Sequence, residues 1–155
     1  MQLKDFRRFA FSLGIITASF FMPGESFAAM AGYHFYIANF MDSEMVIIDG
    51  STRQEIGKIK FKYGANPVAI IPSLDKRLLY VANRGIDEVA VIDAKSREII
   101  KKIKVGLHPE SMEITRDGKY MVVINSQTDH ASIVDLTSHE VAGSLPTGRG
   151  SLDLA

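Results

Sequence analysis

One pattern, repeated three times, constrains this chain more than any other feature. Tyr36-Ile37-Ala38-Asn39 is followed by Ile47-Ile48-Asp49, Tyr80-Val81-Ala82-Asn83 by Val91-Ile92-Asp93, and Val122-Val123-Ile124-Asn125 by Ile133-Val134-Asp135, with ten residues from Asn to Asp each time. Gly64, Gly106 and Gly148 fall 42 residues apart, Pro67 matches Pro109, and Asp75 matches Asp117. Only the first copy differs in length, by two extra residues between Asp49 and Gly64. Short strands recurring every 40 to 45 residues or so are the mark of a β-propeller, because one such sheet cannot bury its own faces and stacks on the next. The expected fold class is all-β, with blades of four antiparallel strands.

Within the second copy the strand-like runs are 68–71, 78–82, 89–92 and 98–105. The second run is continuously apolar, as a strand covered on both faces must be. The fourth alternates isoleucines with Lys101, Lys102 and Lys104, which suits an outer edge where charge discourages stray pairing. The blades are expected at about 33–63, 67–105 and 109–147, with 151–155 beginning another. Asn39, Asn83 and Asn125 end the apolar strand, and Asp49, Asp93 and Asp135 end the next; each can bond turn backbone groups. With Gly64, Gly106 and Gly148 they recur in every copy and are read as structural, since a turn is needed in each blade and a catalytic group only once. Asp117-Gly118 is a hairpin signal, and Asp75-Lys76 is its weaker counterpart.

Residues before about 30 belong to another physical class. Lys4, Arg7 and Arg8 precede an apolar run at 9–22, Pro23-Gly24 breaks it, and Ser26-Phe27-Ala28 offers a small-x-small cleavage site, with Ala29-Met30-Ala31 as a second. The run is shorter than the roughly 20 residues a membrane-spanning helix needs. A signal peptide over 1–28, cleaved after Ala28 or Ala31, is expected, with bacterial export to the periplasm or cell surface and no stable membrane span afterwards. Arg7-Arg8 leaves the twin-arginine and general routes both open. The chain carries 18 basic and 18 acidic residues; removing the leader takes Lys4, Arg7 and Arg8 against Asp5 and Glu25, leaving 15 and 16. No basic stripe offers itself to phosphates, so nucleic acid is not an expected partner. The absence of cysteine excludes disulfides, thiolate catalysis and Cys-ligated metals.

Leu79-Tyr80-Val81-Ala82-Asn83, Val89-Ala90-Val91-Ile92-Asp93, Val105-Gly106-Leu107-His108-Pro109 and Thr115-Arg116-Asp117-Gly118-Lys119-Tyr120 together resemble the YVTN repeat family of propellers. The resemblance covers nearly all of the chain beyond the leader. It implies an exported protein, often without catalytic residues of its own, with relatives beside quinone or haem enzymes. Ala38, Ala82 and Ile124 replace the family's Thr, which concerns strand packing.

Propellers close with four to eight blades, whereas three repeats are visible here. The first copy starts at a blade's second strand, leaving 36–39 without an inner neighbour. The chain is therefore expected to be part of a roughly seven-bladed ring, the alternative being a ring completed from two chains; its open blade faces favour self-association. Loops entering an inner strand and loops leaving the second strand share one face. That face would hold Arg84, Asp87 and Glu88, then His108, then Thr128, Asp129 and His130, and then Arg149; of these Arg84, His108, His130 and Arg149 vary between copies. His34 and His139 would lie opposite. No cofactor is expected; the alternative is a haem or metal held by His108 or His130, neutral imidazole being a common ligand. Met41, Met45, Met112 and Met121 are read as core filler. The expected function is an exported non-catalytic binding or scaffold module for an unidentified protein or small molecule. The alternatives are part of a redox enzyme or accessory subunit resembling quinohaemoprotein or haem d1 propellers, and a non-functional truncated gene product.

Overall fold

The computed structural model describes residues 15–18, 33–148 and 150. They form three four-stranded antiparallel sheets, each with its strands in chain order. The first contains β1 (Ile15–Ala18), β2 (His34–Asn39), β3 (Glu44–Asp49) and β4 (Glu55–Lys60). The second contains β5 (Pro67–Pro72), β6 (Leu78–Asn83), β7 (Glu88–Asp93) and β8 (Ile99–Lys104). The third contains β9 (Pro109–Ile114), β10 (Tyr120–Asn125), β11 (His130–Asp135) and β12 (Glu140–Pro146). β1 and β5 are in contact, as are β5 and β9, so the inner strands lie side by side. These are three blades of an incomplete propeller ring. No helix among the described residues is long and apolar enough to cross a membrane.

The unbroken apolar strands fill two layers between blades. Along β6, Leu79 and Val81 point into the layer shared with the first sheet, where they meet Ala38, Met45, Ile47 and Ile59. Tyr80 and Ala82 point the other way, against Met112, Met121, Val123 and Val134 of the third sheet. Alternate side chains thus leave the strand on opposite sides and are buried on both, which is why no polar alternation marks it. Met45, Met112 and Met121 are core residues, while Met41 is 78% exposed. The pairing of third and fourth strands slips by one residue at Ile47/Ile48, at Val91/Ile92 and at Ile133/Val134. A bulge at the same place in every blade increases local twist. On the outer strand β8 the lysines are exposed and Ile103 alone is buried.

The first blade departs from expectation. Its second strand is not left without an inner neighbour: Ile15–Ala18, within the apolar run read as leader, pairs antiparallel with β2, Ile15 opposite Asn39 and Ala18 opposite Tyr36. An open strand edge is a row of unpaired amides and carbonyls, and a short segment containing two isoleucines and a threonine has the strand preference to fill it. The basic residues Lys4, Arg7 and Arg8, both cleavage sites, Arg149 and residues 151–155 lie outside the described residues.

The repeated aspartates close the turns in the same way each time. Asp49 Oδ1 accepts from the amides of Ser51 and Thr52, Asp93 Oδ1 from Lys95 and Ser96, and Asp135 Oδ1 from Thr137 and Ser138. Each turn ends on a left-handed residue, Arg53, Arg97 or His139. Hydrogen bonds to a carboxylate favour its charged form. The Ser51 hydroxyl and then the Thr52 amide hold Asp49 down to about 2. Asp93 and Asp135 are lowered chiefly by the Ser96 and Ser138 amides, and Asp75 and Asp117 by the Ser73 and Thr115 hydroxyls. Folded values below the unfolded value of about 3.9 mean that the native state binds fewer protons. Their contribution is complete above about pH 4 and is lost as pH falls towards the folded values, about 2 for Asp49. Urea unfolding at a series of pH values should show this fall, and replacing Asp49, Asp93 and Asp135 with Asn should flatten it; an unchanged slope in that variant would count against the assignment.

Candidate functional site

The strand ends gather the loops on one face. The turn after β6, a single 3-10 turn at Arg84–Ile86, is bonded to the loop entering β5 through Arg84 N to Asn66 O and Gly85 N to Ala65 O, at 3.1 and 2.9 Å. One blade on, Ser126 N and Gln127 N reach His108 O and Leu107 O in the loop entering β9. His108 and Asp87 both have left-handed backbones, with φ of 53° and 56°. Such conformations are costly for residues other than glycine and persist where surrounding bonds hold them. Here the His108 amide donates to Asp87 Oδ1 at 2.9 Å, and the Val105 amide to Asp87 O at 3.1 Å.

Side chains then tie the second and third blades together. Arg84 Nε lies 2.9 Å from Glu110 Oε1, an ion pair without the alignment of a directed hydrogen bond. Ser126 Oγ donates within 3.1 Å of the same carboxylate oxygen and lies 3.2 Å from His108 O. The cluster therefore joins Arg84, Asp87, His108, Glu110 and Ser126 across the blade boundary. Asp129 and His130 form a separate pair, Oδ1 to Nδ1 at 3.1 Å, at the turn after β10. His130 also lines a shallow cleft with Lys104, Gly106, Ser132 and Gly143 between the outer parts of the two blades. His139 stands in a hairpin turn at the far end of its strands, Nε2 3.5 Å from the Tyr80 hydroxyl of the preceding blade. Burial, then the Lys101 charge, lowers the pKa of His139, and burial raises that of Tyr80.

Glu110 and Ser126 were missed in the reading of the sequence, yet the signal that singled out Arg84 also marks them. Glu110 occupies the position of Val68, and Ser126 that of Arg84 itself. A carboxylate in place of a buried valine on an inner strand needs a partner, and the guanidinium of the neighbouring blade supplies it.

The repeated Asn and Gly positions are not equivalent in detail. Asn125 Nδ2 donates to His130 O at 3.1 Å and to Ser132 Oγ at 3.0 Å, and the Gly106 amide also donates to that hydroxyl. Asn39 Nδ2 reaches Asp42 at 2.5 Å. Asn83 is fully buried, and neither its amide nitrogen nor its oxygen has a partner. Ala90 stands where the third copy has Ser132, so the hydroxyl that serves Asn125 is missing. Ala90→Ser is expected to raise stability by about 0.5–1.5 kcal/mol, the worth of a hydrogen bond to a previously unsatisfied group. Thermal unfolding checks this, and a loss would mean that Asn83 cannot reach the new hydroxyl. Gly64 and Gly148 hold φ of 78° and 77°, whereas at Gly106 a side chain would come within 2.6 Å of the Asn125 amide.

Among the described residues no three His, Asp or Glu side chains gather as a metal site. Nor does Ser126 Oγ face an imidazole base; its neighbours are a carboxylate and a carbonyl. The cluster offers a buried imidazole nitrogen, His108 Nδ1, without a hydrogen-bond partner, beside a mixed-charge surface suited to polar recognition.

Comparison with known proteins sets this geometry in context. A model described as the cytochrome D1 heme domain matches residues 34–153. YncE of Salmonella typhi, an uncharacterized protein, is 26% identical over 93 residues, which is 60% of this chain and 26% of that protein; its counterpart from Salmonella typhimurium matches equally. Among solved structures, a chain of Kuenenia stuttgartiensis hydrazine synthase is 28% identical with a TM-score of 0.73, over 79% of this chain and 35% of that one. A putative 6-phosphogluconolactonase from Bacteroides fragilis shares the fold at 22% identity and a TM-score of 0.67, over 80% and 38%. A Lactobacillus plantarum protein is similar at 25% and 0.66, over 79% and 41%. The chain thus spans about a quarter of the curated relatives it matches and 35 to 41% of these structures.

Haem bound through an axial histidine calls for a second ring nitrogen oriented by a hydrogen bond. The cluster around His108 does not fit such a group, although His130, with Nδ1 3.1 Å from Asp129 Oδ1, meets that one condition. His108 Nδ1 has no partner, Arg84 is engaged by Glu110, and the surroundings are an ion pair and a hydroxyl rather than apolar walls.

Proposed function

This chain belongs to the cytochrome D1 heme domain family, and we propose that within it the chain is an exported binding module with repeats of the YVTN type, acting through the loop face around Arg84, Asp87 and His108 rather than through chemistry of its own. The observation that carries this reading is the cross-blade cluster, in which Arg84, His108, Glu110 and Ser126, which differ from their counterparts in the other copies, converge on one face with Asp87. In repeat proteins the variable positions on a common surface are where specificity resides. Glu110 and Ser126 extend that surface, and Asp129 and His130 flank it. The partner is a protein or small molecule of the periplasm or cell surface, reached after cleavage of the leader near Ala28 or Ala31, which takes Ile15–Ala18 away and reopens the inner edge of β2.

A test uses the exported chain with a photo-crosslinking residue at Gln127 on the loop face or at Ser138 on the opposite one. Adducts are expected from position 127 alone, and they should disappear in Arg84→Ala/His108→Ala with little change in melting, since a partly exposed ion pair contributes about 0.2–1 kcal/mol. Adducts from position 138 alone would overturn the assignment. N-terminal sequencing of the same material checks the cleavage site; an intact Met1 in the membrane fraction would refute export with cleavage.

A second reading is favoured by the family and by the 28% identity to a chain of hydrazine synthase: a component of a redox assembly, with the propeller as its docking subunit. Co-purification with a haem-bearing partner, seen as a Soret band in the complex and not in the isolated chain, distinguishes it.

A further inference from the structure

We propose that His139 makes the seam between the second and third blades sensitive to pH, keeping it closed while the imidazole is neutral and loosening it once the ring takes up a proton. The seam between the first and second blades supplies the reference. There the left-handed turn residue Arg97 crosses to the blade before it, and its Nη1 donates at 2.7 Å to the carbonyl of Ile56, the extra residue of the bulge in β4. Gly57 leaves room for this, since a side chain at that position would begin 2.6 Å from Arg97 Nη1. The phenol of Tyr36 on β2 lies within reach of the same cation: burial raises its pKa and the Arg97 charge opposes the rise.

One blade on, the same three positions carry a different set. His139 stands where Arg97 does, four residues after the turn aspartate and again with a left-handed backbone; Lys101 stands where Gly57 does, and Tyr80 where Tyr36 does. A side chain at 101 closes the path that Gly57 leaves open, and it brings a cation of its own to the seam. A guanidinium stays charged at any ordinary pH, whereas an imidazole can be neutral. His139 Nε2 lies 3.5 Å from the Tyr80 hydroxyl, with the ring centroids 6.1 Å apart. Tyr80 is 2% exposed, and no other group among the described residues meets that hydroxyl. A buried phenol needs an acceptor, and a neutral imidazole nitrogen is one.

Protonation turns that nitrogen into a donor and sets a cation in a half-buried place beside Lys101. Burial first, and then Lys101, lowers the pKa of His139, while Asp135 opposes them. Asp135 is already engaged by the amides of its own turn. The other charged groups at this end of the seam are Glu140, loosely paired with Lys101 at 3.9 Å, and Asp75, whose charge acts on Tyr80. A folded value below the ordinary histidine value of about 6.5 means that the native state binds fewer protons than the unfolded chain. The contribution of His139 is therefore complete above about pH 6.5 and is lost as pH falls from there towards the folded value. The loss begins before the turn aspartates start to lose theirs.

Urea unfolding between pH 8 and pH 5 tests the proposal on wild type, on His139→Gln, and on Lys101→Gly/His139→Arg, which rebuilds the first seam in the second. The wild-type midpoint is expected to fall over this range, and both variants should fall less. A variant slope equal to the wild-type slope overturns the proposal. The His139 ring protons, followed by NMR in the wild type, should titrate below the ordinary histidine value, and this reading stands even where a variant fails to fold. Titration at or above that value overturns the proposal. Nuclear Overhauser contacts between the Tyr80 and His139 rings, present at pH 8, should weaken as the ring becomes protonated; contacts unchanged at full protonation would show that the seam does not loosen.

Discussion

Ile92→Ala is expected to lower the unfolding free energy by about 3 kcal/mol, within the 2–5 kcal/mol typical of truncating a buried isoleucine to alanine. Ile92 is fully buried in the layer between the first and second blades, next to the repeated register shift at Val91/Ile92. Twisted sheets stacked face to face close only partly over such a space, so the loss should lie above the transfer term alone. The comparison is Ile100→Ala on the outer strand, where the side chain is 52% exposed and a change within about 0.5 kcal/mol is expected. Urea unfolding of both variants decides the matter. Similar losses would mean that the layer between blades is not the stabilising unit of this fold.

Gly85→Ala should be at least as damaging, although position 85 is a surface turn. A side chain there would begin 2.0 Å from the Gly64 carbonyl oxygen and 2.8 Å from Asn66 Oδ1. The first of these is backbone, held close by the bond from Gly85 N to Ala65 O, so relief requires the turn and the loop entering β5 to separate. Overpacking costs about 1–3 kcal/mol where side chains can yield and more where backbone must move. We expect about 3 kcal/mol here, together with faster amide exchange at Arg84 and Gly85, whose hydrogen bonds cross that boundary. Gly143→Ala is the control, since nothing lies within 4 Å of a side chain there; it should change the melting temperature little. An equally mild Gly85→Ala would show that the two loops are free to part.

Position 85 also shows where reading the sequence stops. The matching residues in the other copies are Met41 and Gln127, so nothing in the repeat marks Gly85 as constrained. The constraint comes from a loop 21 residues earlier in the chain, Gly64 against Gly85. The same holds for Arg84. Its variation between copies marks it as a candidate, but the carboxylate that engages it, Glu110, belongs to the next blade and 26 residues separate them.

What the sequence determined by itself is what depends on near neighbours and on period. Strand limits came within one or two residues, because apolar runs bounded by Asn and Asp state both the pairing length and the turn. The aspartate turns were legible for the same reason: Asp49, Asp93 and Asp135 bond amides two and three residues ahead, and local contacts survive any arrangement of the blades. Tertiary structure alone decided the rest. Asn83 is left without a partner because the hydroxyl that serves Asn125 is absent at Ala90. Gly106 is required by the approach of Asn125 and not by its own backbone angle. Ile15–Ala18 lies beside β2 because an open sheet edge accepts whatever strand-forming segment can reach it. Each of these depends on distances between segments far apart in the chain, and a repeat gives the distances only when every copy carries the same side chains, which at these positions it does not.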